Sequence, residues 1–264
     1  MSWNNKVVWS EGMFLKAQHF QQQDRYTERL VRQRIEGVRS YPWGIRNLQI
    51  NLSLLGIGKF ALITCSGVFE DGTPFVVTED LNPPTPLDLP AVLNNTVIYL
   101  CLPIQQPQTP EVEISESVFV SSTRYVASME DAVDYINGSN GIANIRTASL
   151  RLKFMLETED RSAYHSLGLI RIKEIGADKR ATIDPNYIPP LLACGQSPIL
   201  QEFTNEILSM LRHRADTLAQ RVSGSGNQGV AEIADFLLLQ LINKIEPGIK
   251  HVSKLPYLHP EYYY

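Results

Sequence analysis

The chain has almost no cysteine. Cys65, Cys101 and Cys194 are three in 264 residues, scattered, odd in number and without a C-x-x-C pair. That pattern excludes a disulfide framework and gives no zinc or thioredoxin signature; a reducing cytoplasm is the compartment it fits. Long apolar runs are lacking too. The longest, FLLLQLI at Phe236–Ile242, is broken by Gln240 and falls far short of the ~20 residues of a membrane helix. Residues 1–15 lack the basic start and continuous apolar core of a secretory signal. Direct membrane insertion is therefore not expected, and the sequons at Asn51, Asn94 and Asn137 carry no weight. There is no basic surplus either. The formal net charge is -4, which argues against general nucleic-acid binding, because phosphates need cations to neutralise them. The densest basic run, Arg29, Arg32 and Arg34, is interleaved with Glu28 and Glu36, and the i,i+4 pair Glu28–Arg32 reads as a solvated helix face.

Catalytic constellations are missing as well. His19, His165, His213, His251 and His259 form no H-x-H or H-E-x-x-H pattern and lie near no cysteine. His213 and Asp216 share a helix face at i,i+3, which reads as a surface hydrogen bond. GSGNQG at Gly224–Gly229 matches G-x-G-x-x-G in letters. A pyrophosphate cradle needs a strand before the first glycine, and here a helix precedes it, so a helix–helix loop is expected. No G-x-S-x-G or P-loop occurs. The expectation is no catalytic residue, no metal and no cofactor. Glu157, Glu159 and Asp160 read as a solvated turn. An antiparallel sandwich can bring two acids together by folding, so a carbohydrate-binding or carbohydrate-active sandwich stands as the rival function.

What the chain does contain is enough apolar residue for a sizeable core: 44% hydrophobic and 20% charged. Residues 13–38 read as a helix, with Phe20, Thr27, Leu30, Val31, Ile35 and Val38 at helical spacing, ended by Gly37 and the YPWG at Tyr41–Gly44. From Gly44 to about Asp184, short branched and aromatic runs recur every ten to fifteen residues: Leu48–Leu55, Lys59–Phe69, Glu70–Val77 with its Asp71-Gly72 turn signal, Asn94–Ile104, Ser117–Ala127, Ser149–Glu157 and Leu167–Ile175. Without amphipathic helices between them they predict an antiparallel β-sandwich or barrel rather than a parallel sheet. Pro189 and Pro190 then punctuate the chain. Beyond them, Ser197 caps a helix that starts at Pro198, with a stripe of Leu200, Phe203, Ile207, Leu211, Leu218 and Val222. A second helix is predicted from about Val230 to Ile245, ending at Pro247-Gly248. The expected domains are residues 1–188, a β-sandwich with an N-terminal helix, and 189–264, a helical-bundle region. His259-Pro260-Glu261 opens a third helix that Tyr264 cuts short, which predicts truncation before a further domain.

Two apolar surfaces stand out. Trp9, Met13, Phe14 and Leu15 place four large apolar side chains within seven residues, ahead of a polar helix: a docking strip or a cover for the sandwich. In the second C-terminal helix, Phe236 and Leu239 lie outside the main apolar stripe of Val230, Ile233, Ala234, Leu237, Leu238, Leu241, Ile242 and Ile245. A helix apolar nearly all round is covered on more than one side: the second side meets another subunit or the β domain, and Phe236 and Leu239 are the expected oligomer contacts over burial against that domain.

Several phrases then carry a resemblance: EGMFLKAQHFQQQDRY (Glu11–Tyr26), Trp43-Gly44, DGTPF (Asp71–Phe75), YIPPLL (Tyr187–Leu192), ADFLLLQLIN (Ala234–Asn243) and His259-Pro260-Glu261. In this order they resemble the TssK family, baseplate subunits of the bacterial type VI secretion system. The resemblance spans the chain, and the N-terminal phrase is its most specific part. Lys16-Ala17 departs from the family, which usually has a proline before the Gln-His pair. The resemblance implies a structural adaptor and not an enzyme. It implies a cytoplasmic homotrimer at the inner membrane, whose β-sandwich shell resembles the shoulder domain of phage receptor-binding proteins. The shell would contact the wedge subunits TssF and TssG, a helical neck would follow, and a C-terminal head absent from this sequence would reach the membrane-complex subunits TssL and TssM.

Overall fold

The computed structural model describes residues 5–81, 83–106, 109–114, 123–136, 138–177, 179–224, 230–255 and 257–262. Two compact units divide at Pro190/Leu191. In the first, helix α1 (Ala17–Glu36) precedes β1 (Gly44–Ile50), the one-turn helix α2 (Leu52–Leu55), β2 (Lys59–Phe60), β3 (Leu62–Val68), β4 (Pro74–Thr78), β5 (Leu87–Asp88) and β6 (Asn94–Pro103). Then come β7 (Val112–Glu113), β8 (Tyr125–Asp134), β9 (Gly138–Leu150), β10 (Lys153–Leu156), β11 (Tyr164–Ile175) and β12 (Ala181–Ile183).

The sheets are predominantly antiparallel, as expected for a mainly β fold. One has the order β1-β3-β4, another β10-β6-β11-β12, and β2 pairs with β5. β6 lies between two neighbours, and its run Thr96–Ile98 and Leu100–Pro103 is buried on both faces, which explains the continuous apolar stretch TVIYLCLP. Its ladder with β11 extends from Tyr164↔Pro103 to Glu174↔Asn94. The core gathers Ile45, Cys65, Phe75 and Val77 from one sheet, Phe69 from the turn that joins β3 to β4, and Ile98, Leu100, Leu102, Leu167, Leu169 and Ile172 from the other sheet. Phe60 meets Phe154 edge-on at 4.9 Å. Each fully buried side chain of this size contributes about 1.5–3 kcal/mol.

The Asp71-Gly72 turn forms as predicted: Gly72 N–H donates to Phe69 O at 2.9 Å and Gly72 takes φ +82°, a conformation that favours glycine. Other expectations need correction. The first helix starts at Ala17 and not residue 13, with Lys16 N–H donating to His19 Nδ1 at 3.0 Å to close the first turn. The run Leu48–Leu55 is strand to Ile50 and then a helical turn capped by Asn51, whose Oδ1 accepts from Leu54 N–H at 3.1 Å. Ser149–Glu157 is the end of β9, a break, and β10. A ten-rung hairpin, β8–β9, extends the ends of the runs read at Ser117–Ala127 and Ser149–Glu157 across residues 128–148, which the sequence left unassigned, with β7 lying parallel along its base. Of the run Ser117–Ala127, residues 117–122 lie outside the described residues.

The second unit holds a 3-10 turn (Cys194–Gln196), α3 (Pro198–Gly224), α4 (Val230–Val252) and a 3-10 turn at Pro260–Tyr262. Ser197 Oγ accepts from Leu200 N–H at 3.4 Å. Of the stripe read in the sequence, Leu200 and Leu218 are buried and Ile207, Leu211 and Val222 half-buried, while Phe203 is exposed and Thr204 and Leu208 join the buried face. α4 runs through Pro247 to Val252 instead of stopping before it. Residues 225–229 of the Gly224–Gly229 motif lie outside the described residues.

Candidate functional site

The N-terminal strip does not cover the sandwich. Phe14 is 90% exposed, Leu15 59% and Trp9 47%. Met13 is half-buried, and its Sδ accepts from Ser10 N–H at 3.5 Å. Trp9 lies against Phe20 and His19 at ring separations of 6.2 and 6.3 Å. The strip therefore joins the outer face of α1, where Val31 and Ile35 are also exposed. No residue of α1 is buried. The apolar stripe that the sequence would send to the core faces solvent, and the polar face turns to the sandwich.

That polar face meets a charged cluster built on the Asp71-Gly72 turn. Asp71 Oδ1 accepts from Thr73 N–H at 3.0 Å, which leaves Oδ2 for two arginines and an imidazole. Arg124, 4% exposed, donates to it, and also to Thr73 Oγ1 and to Pro103 O, the last at 2.7 Å. His165 Nε2 lies 3.5 Å away, and Arg32 of α1 4.0 Å away. Burial by itself raises the Asp71 carboxyl, but Arg124, the Thr73 N–H and His165 outweigh it and hold it below the ordinary carboxylate value. Burial also holds the His165 imidazole below its ordinary value, with Arg124 and Arg32 assisting against Asp71 and Glu70. The sequence pointed to Asp71 as a turn residue and missed this role, since Arg124 stands 53 positions away and no local pattern links the two.

In the second unit, Ile233, Phe236, Leu237, Leu241 and Ile245 of α4 are each 41–63% exposed, an apolar stripe at four-residue spacing. Phe236 belongs to it. Leu239 does not: it is half-buried beside Ile242, on the same face as Asp235 and Glu246, which pair with Arg221 and Arg212 of α3 at 3.8 and 3.2 Å. The expectation that Leu239 shares an outer surface with Phe236 is corrected by that placement.

The acids of the rival carbohydrate reading serve the backbone. Glu157 accepts from Val97 N–H at 3.0 Å, Glu159 from Leu156 N–H, and Asp160 from Ser162 N–H at 2.9 Å. His213 and Asp216 are both exposed on α3. Among the described residues no group of three His, Cys, Asp or Glu side chains could hold a metal ion, and no helix is long and apolar enough to cross a membrane. Burial pushes the Cys65 thiol up to about 12 and the Cys101 thiol up to about 11.

Comparison with known proteins adds sequence and fold neighbours. The family described as "Bacterial Type VI secretion, VC_A0110, EvfL, ImpJ, VasE" matches residues 19–264. The type VI secretion system baseplate component TssK1 of Pseudomonas aeruginosa is 38% identical over all of this chain, which spans 59% of that protein. A crystal structure of TssK is 34% identical with a TM-score of 0.89, covering 98% of this chain and 58% of that one. A cryo-electron-microscopy structure of a TssK-TssF-TssG baseplate subcomplex shares the fold at 24% identity and TM-score 0.83, covering 97% of this chain and 83% of that one.

Proposed function

We propose, from the premise that the chain belongs to this TssK family of bacterial type VI secretion proteins, that it is a structural adaptor of the secretion baseplate and performs no chemistry. One observation carries the reading beyond the family: exposed apolar side chains form a strip on the N-terminal arm with α1 and another along α4. Strips of aromatic and aliphatic side chains are where protein interfaces concentrate their energy. The arm, with Trp9, Met13, Phe14 and Leu15, is the surface for the wedge subunits TssF and TssG. The stripe of α4 centred on Phe236 is the surface for other copies of the chain in a homotrimer. The sandwich of residues 1–188 is the shell and residues 189–264 belong to the neck. The part of the longer relatives that this chain does not span would reach the membrane-complex subunits TssL and TssM, with the assembly on the cytoplasmic side of the inner membrane.

The test is copurification. Phe14→Ala and Trp9→Ala should each weaken recovery with TssF–TssG while shifting stability by less than about 0.5 kcal/mol, since Phe14 supports no core. Undiminished recovery together with a loss of about 3 kcal/mol or more, the size of a core truncation, would refute the arm as a docking surface.

A further inference from the structure

Helix α1 is attached to the sandwich in an unusual way. None of its twenty residues is buried, and those it half-buries are mostly polar: His19, Gln22, Gln23, Arg25 and Arg32, with Tyr26 beside them. The side turned inward is charged: Arg25 lies 3.9 Å from Glu111 and Arg32 4.0 Å from Asp71, with the arginine side chains 30% and 40% exposed. Two open clefts flank this face. One of about 330 Å³ lies between Arg29, Arg32 and Gln105; another of about 430 Å³ lies between Asp24, Glu28, Glu111 and Tyr125. The helix is thus held to the sandwich mainly by polar and charged side chains beside solvent-accessible space.

The bridge also contains its own opposition. Burial first, then the neighbouring Glu111 and Asp24, raises the Glu28 carboxyl, because three acids share the space around Arg25. The seat for Arg32 is built by the absence of a side chain: a Cβ at Gly72 would stand 3.0 Å from Arg32 Nε. Partly exposed ion pairs of this kind are weak and screened by salt. A released helix also loses the tertiary packing from which most helical stability in proteins comes.

We infer that α1 is an ion-latched arm: screening or competition for its arginines frees it from the sandwich, which remains folded. Loss of the latch lets the arm carry Trp9 and Phe14 with it, so the orientation of that strip is set by two charge pairs and not by the core. The inference stands whether or not the strip binds TssF–TssG.

Hydrogen exchange on the full 264-residue chain tests it. Raising sodium chloride from about 0.01 M to about 1 M, where the screening length falls from roughly 30 Å to 3 Å, should speed amide exchange across residues 17–36 about tenfold or more. Exchange in β6 and β11 should not change. Arg25→Gln with Arg32→Gln should give the fast exchange already at low salt. The swap Arg25→Glu with Glu111→Arg should restore slow exchange. Exchange of α1 that ignores both salt and the double variant overturns the inference. So does a loosening of β6 and β11 in step with α1, or a charge swap that leaves α1 as fast as the double variant.

Discussion

Asp71 is the residue on which the first unit's electrostatics turn. It was legible in the sequence as half of a turn signal and illegible as the counter-ion of Arg124, because pairing at a separation of 53 residues leaves no local pattern. Arg124 is 4% exposed, and a buried guanidinium without its carboxylate costs about 3–5 kcal/mol. Asp71→Asn should therefore lower the urea-unfolding free energy by about 3 kcal/mol at neutral pH. The pH dependence has a worked sign. Asp71 and His165 both have folded-state affinities for protons below their unfolded ones, so the unfolded chain takes up protons first. Stability is full above about pH 6.5, falls as His165 protonates below that value, and falls again below about pH 4 as Asp71 is neutralised. His165 faces Asp71, Glu70, Arg124 and Arg32, and its replacement by Gln should remove the upper leg of the profile, while Asp71→Asn removes the lower one. A profile that rises on acidification between about pH 6.5 and 4 would contradict this arrangement.

Elements were legible where the strand is buried on both faces. β6 and β11 show it: each holds a run of consecutive buried residues, which stands in the sequence as a continuous apolar stretch. The hairpin β8–β9 escaped for the complementary reason. Met129, Val133, Ile142 and Ile145 are exposed, as are Glu130 and Asp131, so neither face imposes an apolar alternation on the sequence. Helix α1 misled differently: its periodicity is real, but the apolar side faces outward. At α4 the rule that proline stops helices gave the wrong end, since the helix continues from Pro247 to Val252. Proline at such a position forfeits the bond to the carbonyl four residues back and costs up to about 3 kcal/mol relative to alanine. Pro247→Ala should stabilise the helical unit by about 1–3 kcal/mol, seen as a higher midpoint for loss of helical circular dichroism. A lower midpoint would show that the proline serves a contact the helix geometry does not reveal.

For the whole molecule, the proposed shell and neck make two separable demands. A chain of residues 1–190 should melt cooperatively with a β-rich spectrum, since the described core of the sandwich is drawn from its own strands; an aggregated or unfolded product would count against an autonomous shell. Association belongs to the other unit. Phe236→Glu with Leu237→Lys sets charges into the exposed stripe of α4, and desolvating them at an apolar contact is costly. The double variant should therefore lower the mass found by light scattering and leave the melting of the sandwich unchanged, and an unaltered mass would remove this face from the trimer. The three cysteines bear on how such assemblies can be mapped. Each thiol is buried, and burial raises its pKa, so the nucleophilic thiolate is scarce at neutral pH. The natural sequence is thus already a silent background for site-directed chemistry. A single cysteine introduced at Phe14 or Phe236 would be the fast-reacting group for a maleimide dye or a bifunctional cross-linker, and neighbours could be trapped and counted without first stripping the native thiols from the core.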